Sequence, residues 1–121
     1  MIVNKGMDWL FDILMSTAGG SPLTYIAVGD SPNLVTADDT QLTNEMFRSA
    51  ITNIYRDTGT LVCETYYERD EANFSWAEAG LFAGGDGSPN TGILVARSLV
   101  AEDKDENKTA TMVFEISITE A

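Results

Sequence analysis

The sequence predicts an α+β fold, in which an N-terminal amphipathic helix packs on a mainly antiparallel β-sheet or small β-sandwich of about six strands. Three observations predict it: helical spacing of apolar residues near the N-terminus, a period of two in several later segments, and loop-forming clusters between those segments. A chain of 121 residues suits one domain. We therefore expect a single domain over residues 1–121, with the helix in 1–20 and a β-rich body in 23–119.

The first segment has the apolar spacing of an amphipathic helix, and Gly19 and Gly20 provide its end. Trp9 and Ile13 widen the apolar stripe beyond one face. The excess fits either the core or a surface for a partner, so the segment supplies our candidate interface residues: Met7, Trp9, Leu10, Phe11, Ile13 and Leu14.

The β-rich body begins with a short strand at residues 23–28, followed by loop chemistry at 29–33 and a polar, irregular stretch at 37–42. Residues 47–56 then alternate with a period of two, and residues 61–68 resume a strand rich in β-forming side chains. The turn at Asp57, Thr58 and Gly59 places a glycine where a positive φ is needed. These segments predict an antiparallel hairpin.

The second half of the chain continues the pattern with less regularity. Residues 74–82 form two short apolar pieces around Glu78, and the glycine-rich segment 84–90 predicts a flexible hairpin tip. A strand is predicted at 93–100, a charged loop at 101–108, and a final strand at 112–119. In that last strand one face is apolar and the other polar, so one face should be buried and the other should meet solvent or a neighbouring subunit.

Charge and hydropathy exclude several classes of partner. The net charge is −12, and the seven Lys and Arg residues are dispersed along the chain. Binding to a nucleic-acid backbone or an anionic membrane is therefore not expected. No apolar run approaches the roughly 20 residues of a membrane span. Asp8 and Asp12 interrupt the N-terminal apolar stretch, so a secretion signal fits poorly.

The residue types needed for common catalytic and metal sites are scarce. The chain has no histidine, and Cys63, its one cysteine, sits among apolar residues that predict a buried thiol. Paired carboxylates remain the only candidates for acid–base chemistry, and they are Glu64, Glu68, Asp70, Glu71, Glu78 and Glu115. Because nothing marks a cleft around them, we expect no enzyme, no cofactor, and no catalytic or metal-ligating residue.

One segment partly matches a calcium-binding loop. Asp103, Asp105 and Asn107 are spaced by two, as in the start of an EF-hand loop. Lys108 stands where the loop requires glycine, and Phe114 stands where it requires glutamate. A solvated loop is therefore the preferred interpretation of residues 102–107.

The aromatic residues leave a second function open. Tyr25, Tyr66, Tyr67 and Trp76 fit a core or an interface, and if exposed they would suit stacking on sugars. A free carbohydrate-binding module is therefore an alternative hypothesis.

An ordered set of short motifs resembles the tail-collar fibre domain of tailed phages and related small virion proteins. The patterns are N-x-G-x-x-x-L, an Ala-Val-Gly-Asp turn, L-x-N-E-x-x-R, E-x-G-L-F and L-x-A-R. The residues that carry them are Asn4, Gly6, Leu10, Ile26, Ala27, Val28, Gly29, Asp30, Leu42, Asn44, Glu45, Arg48, Glu78, Gly80, Leu81, Phe82, Leu94, Ala96 and Arg97. No single motif is diagnostic, but their order extends from about Asn4 to Ile118.

The resemblance implies a non-enzymatic structural protein of the virion, assembled in the host cytoplasm. It would form a homo-oligomer, by family a trimer, and dock on other virion proteins as a collar, baseplate or tail-fibre adaptor. A capsid decoration protein is the alternative placement. The motif residues would act structurally: Gly29 and Gly80 would permit tight turns, and Glu45 would pair with Arg48 or Arg97.

Overall fold

The described part of the chain, residues 23–117 of a computed structural model, is built from seven β-strands. Their bounds are β1 Leu23–Gly29, β2 Glu45–Ala50, β3 Asn53–Asp57, β4 Thr60–Tyr67, β5 Ser75–Ala83, β6 Ile93–Asp103 and β7 Ala110–Ser117.

The strands form two antiparallel sheets that pack face to face. Sheet A has the strand order β2-β1-β5-β6, and sheet B has the order β3-β4-β7. Ile26 and Leu81 of sheet A pack against Leu61 and Cys63 of sheet B in one core cluster. A second cluster at the other end joins Val28 of sheet A to Tyr67 of sheet B.

The predicted α+β fold class is therefore wrong. Residues 23–117 contain no helix, and the core clusters of this part of the chain form where the two sheets pack on each other. The segment predicted as a helix, residues 1–20, lies outside the described residues.

The alternating segment at 47–56 is two strands rather than one. β2 pairs with β1 in sheet A, whereas β3 pairs with β4 in sheet B. The chain crosses between the sheets at Ile51 and Thr52, where backbone amides donate to the carbonyls of Thr24 and Glu64. Alternation continues through this crossing, so the pattern alone did not reveal it. The β3–β4 hairpin is confirmed, with positive φ values at both Thr58 and Gly59.

The segment at 74–82 also differs from its prediction. It belongs to one nine-residue strand, β5, flanked by β1 and β6. Residues 78–82 are all buried, so β5 lacks the alternation that marks a half-exposed strand. The hairpin tip after it is confirmed: residues 84–92 connect β5 to β6.

Candidate functional site

The eight structural-motif residues predicted from the resemblance all lie on sheet A. Cross-strand pairing places Arg48, Ala27, Gly80 and Arg97 in one row across the four strands. Gly29 pairs with both Glu45 and Glu78, which sets a carboxylate row beside the arginine row. Leu81 points into the core, and the other seven form the outer face of the sheet or border it.

Glu78 is the centre of the first ionic network on this face, and its side chain is 0% exposed. Its Oε1 accepts hydrogen bonds from Arg97 Nε at 3.1 Å and from the Thr43 amide at 2.9 Å. Its Oε2 accepts from the amides of Asn44 at 2.9 Å and Ser31 at 3.3 Å. These four donors use the lone pairs that a carboxylate offers.

Arg97 extends this network into the loop between β1 and β2. Its guanidinium also donates to Asp39 Oδ2 at 3.2 Å and to the Asn33 carbonyl at 2.8 Å. Hydrogen bonds from the Thr36 amide and hydroxyl, with a smaller contribution from Arg97, lower the pKa of Asp39 below its usual value. The network thus fastens loop 30–44 to the sheet at several points.

Arg48 and Glu45 form the second network. Arg48 Nε and Nη2 donate to the two carboxylate oxygens of Glu45 at 2.7 and 2.8 Å, a bidentate pair that is almost completely buried. Arg48 Nη1 donates to the carbonyls of Asp86 and Thr91, each at 3.1 Å. The guanidinium also stacks over the Phe82 ring, 4.6 Å from its centroid. This network fastens the hairpin tip 84–92 to the sheet.

The expected pairing of Glu45 with Arg48 is therefore confirmed, whereas Arg97 pairs with Glu78 and Asp39. Among the carboxylates considered for acid–base chemistry, Glu78 is fully buried because loop 30–44 covers it. The other five acid–base candidates lie at exposed or half-buried positions: Glu64, Glu68, Asp70, Glu71 and Glu115.

Two glycines on this face are required by close approach rather than by φ. A Cβ on Gly29 would collide with the Asn44 carbonyl oxygen and lie 2.6 Å from Glu78 Oε2. A Cβ on Gly80 would lie 2.8 Å from Leu42 Cδ2. Both glycines let a covering loop or side chain rest directly on the sheet. Neither belongs to a turn, which corrects that expectation.

Lys104 makes a third polar cluster, at the junction between the sheets. Its buried Nζ lies 2.8 Å from the Glu68 carbonyl, 2.9 Å from the Glu71 carbonyl and 2.8 Å from Asn73 Oδ1. The ammonium therefore fills an oxygen-lined cradle made by the turn between β4 and β5. The segment 102–107, expected to be a solvated loop, thus begins within β6 and turns Lys104 inward. The described residues contain no group of three or more ligands suited to a metal ion.

The aromatic candidates separate into two groups. Tyr67 and Trp76 are core residues: their rings meet edge to face at 5.0 Å, and the Tyr67 hydroxyl donates to the Ile26 carbonyl. Burial raises the pKa of Tyr67 well above its usual value. Tyr25 is half-buried beneath Arg48, whereas Tyr66 is exposed on the outer face of sheet B. Cys63 is buried as expected, which raises its pKa to about 11.

One side of the sandwich leaves apolar groups uncovered by the described residues. β6 and β7 are the neighbouring edges of the two sheets, and they belong to separate hydrogen-bonded ladders. Their inward-facing side chains, including Val100, Met112 and Phe114, line an open groove between them. Exposed large apolar residues on these strands are Ile93, Val95, Leu99 and Val113.

Sequence reasoning missed the partners that complete the networks. Asp39, Thr43 and Thr91 reach the ionic residues from loops whose paths the sequence does not give. Asn44 belongs to the quoted motifs, but the bond from its amide to Glu78 was not foreseen. Leu42 was the sequence signal that could have located loop 30–44: this isolated leucine in a polar segment packs under the loop against Phe82. The six candidate interface residues between Met7 and Leu14 lie outside the described residues and remain a prediction.

In the described residues every buried side-chain nitrogen and oxygen has a hydrogen-bond partner. The buried charges on the ionic face of sheet A are thus all paired within the described residues. No protein-family model matches the chain, and no curated protein matches it. The described residues contain no helix that is long and apolar enough to cross a membrane.

Proposed function

We propose that this chain is a non-enzymatic structural component of a tailed-phage-type virion, which self-associates and docks on other virion proteins. The observation that carries the proposal is the distribution of its side chains. The buried charged groups on sheet A bind the loops that cover it. Large apolar and aromatic side chains are exposed on sheet B and β6: Tyr55, Tyr66, Ile93, Val95, Leu99 and Val113. Clustered exposed apolar groups are typical of interaction surfaces.

The virion context of the proposal rests on the resemblance to tail-collar domains. Seven of the eight structural-motif residues form or border one face of sheet A, where Glu78, Arg97 and Arg48 lock loops 30–44 and 84–92 in place. Buried charge pairs that fix loop geometry suit a scaffold that must present a fixed surface during assembly.

The net charge shapes the choice of partner. At −12, two copies repel each other unless their contact uses a weakly charged surface, and a second kind of partner is best if it carries Lys and Arg. A collar, baseplate or tail-fibre adaptor and a capsid decoration protein both meet this description.

Three measurements test the proposal. Size-exclusion chromatography with light scattering should show a homo-oligomer, and purified particles should contain the chain. Quantitative mass spectrometry of those particles separates the placements, because an adaptor is present in few copies and a decoration protein in many. A solitary protein that is absent from every particle would contradict the proposed function.

A second candidate function is carbohydrate binding, favoured by the outer face of sheet B. Tyr55 and Tyr66 stand exposed there, near the hydrogen-bonded pair of Asn53 Nδ2 and Glu64 Oε1 at 3.0 Å. Aromatic faces beside amide and carboxylate groups suit a sugar ring. A monomer that binds glycans in an array, and loses them in Tyr66→Ala with Tyr25→Ala as the control, would favour this function.

A further inference from the structure

The two sheets have four edge strands, and three of them carry features that oppose pairing with another chain. β3 has only five residues and includes Arg56 and Asp57. β6 is interrupted by two irregularities in register and contains Arg97, Glu102 and Asp103. β2 is bordered by sheet B, where Thr65 Oγ1 donates to the Ala50 carbonyl. Short length, charge, bulges and cover are the usual protections of strand edges.

Among the four edge strands of the described structure, β7 carries the fewest of these protections. Its eight residues pair with β4 in an unbroken register from Ala110 to Ser117. The strand contains no Pro, Gly, Lys or Arg, and Glu115 is its single charged residue. Among the described strands β7 is thus the regular edge best suited to accept a further strand.

The inward-facing side chains of β7 are only partly covered by the described residues. Met112, Phe114 and Ile116 point inward and pack on the core clusters, yet each stays partly exposed. A strand added beside β7 would extend sheet B over the groove and bury the same side chains further.

We infer that β7 of a second copy is this added strand, paired antiparallel about a two-fold axis at Phe114. The inference rests on the proposed self-association and specifies its surface. Because opposite residues in an antiparallel pair share a face, this register sets Phe114 against its own mate and Met112 against Ile116 of the second copy. Each pair joins two apolar side chains.

Charge also fits this register. Each Glu115 lies opposite Val113 of the second copy, so no carboxylate faces another directly. The two Glu115 side chains are separated by two residue steps along the strands and one strand spacing across, which is about 8 Å. This distance is close to the screening length in physiological salt. A two-fold contact of this kind gives a dimer, which differs from the trimer implied by the resemblance.

Charge reversal at Val113 tests the pairing in the full chain. Val113→Glu places two new carboxylates opposite Glu115 and should weaken the dimer about tenfold or more, because like charges directly opposite destabilise strand pairs. Val113→Lys places an ammonium opposite the same glutamate and should retain the dimer. Met46→Glu is the control, with similar exposure but on β2 of sheet A, outside the proposed contact surface. Sedimentation gives the dissociation constants, and circular dichroism checks that each variant is folded.

The possible outcomes separate this inference from the proposed function. Three outcomes would overturn β7 pairing while leaving self-association in place. The dimer could withstand Val113→Glu, it could also dissociate in Val113→Lys, or the unaltered chain could form a trimer. An unaltered chain that stays monomeric at high concentration would remove the self-association on which both rest.

Discussion

The outer faces of the two sheets differ in whether loops of the same chain cover them. The face of sheet A is covered by two of the protein's own loops, with Glu78, Glu45 and their arginines buried beneath them. The face of sheet B has no such loop among the described residues, and Tyr55, Tyr66 and Val113 stand exposed on it. The difference shows that the buried charges of sheet A hold loops against it, whereas no described loop covers the outer face of sheet B.

This contrast has an energetic side. Removing a carboxylate and a guanidinium from water costs several kcal/mol, and the attraction between them roughly repays that cost. The pairs on sheet A are therefore better understood as devices that fix loop geometry than as sources of net stability. Breaking one partner alone is a different matter, since it leaves a buried charge without compensation.

The largest expected effect is that of Glu78→Ala. It leaves Arg97 without its buried partner and removes the acceptor for the amides of Ser31, Thr43 and Asn44. We expect a loss of about 3–5 kcal/mol in the free energy of unfolding, measured by urea denaturation. Glu64→Ala on the exposed face of sheet B is the matched control and should cost less than about 1 kcal/mol. Equal losses at both positions would erase the distinction between the two faces.

A smaller effect is expected at Gly29, where loop 30–44 rests on the sheet. Gly29→Ala forces a methyl group against the Asn44 carbonyl and Glu78 and should cost about 1–3 kcal/mol. Gly87 is the control, since a Cβ there meets no atom within 4 Å, and Gly87→Ala should be neutral or slightly stabilising. An unchanged stability in Gly29→Ala would mean that the loop does not hold its position on sheet A.

The sequence predicted the regular half-exposed strands best. β7 and the β3–β4 hairpin follow from alternation and from the turn at Gly59. The crossing at Ile51 was missed because alternation shows which face of a strand is buried but not which sheet the strand joins. The full extent of β5 was missed because a strand buried on both faces does not alternate.

The candidate site was predicted in part. The eight structural-motif residues were named from the sequence and all lie on sheet A, and the pair of Glu45 with Arg48 was expected. Their partners Asp39 and Thr91 come from loops, whose paths depend on long-range contacts that local patterns do not encode. The choice of Glu78 as partner for Arg97 likewise depends on the register between β5 and β6.

Acid titration should act through the covering loop of sheet A. The folded-state pKa of Asp39 is lowered, so its contribution to stability is present above the unfolded value of 3.8 and is lost as the pH falls through the folded pKa. Asp39→Asn should therefore be less stable than the unaltered chain at pH 7, and this gap should close below about pH 4. Asp70→Asn, which removes one exposed carboxylate elsewhere, is the control for net charge. A gap that persists unchanged at pH 2 would mean that Asp39 does not stabilise the loop through its charge.

The smallest effect on stability is expected on the bare face itself. Tyr66→Ala should change the free energy of unfolding by about 0.5 kcal/mol, because the side chain is exposed and no loop covers it in the described structure. Tyr67→Ala, one residue along the same strand but fully buried, should cost about 3–5 kcal/mol. If Tyr66→Ala proves as costly as Tyr67→Ala, the face of sheet B contributes to folding and is not free for partners. If it is nearly neutral, an exposed tyrosine there contributes little to the fold, and its place is better explained by what the molecule contacts.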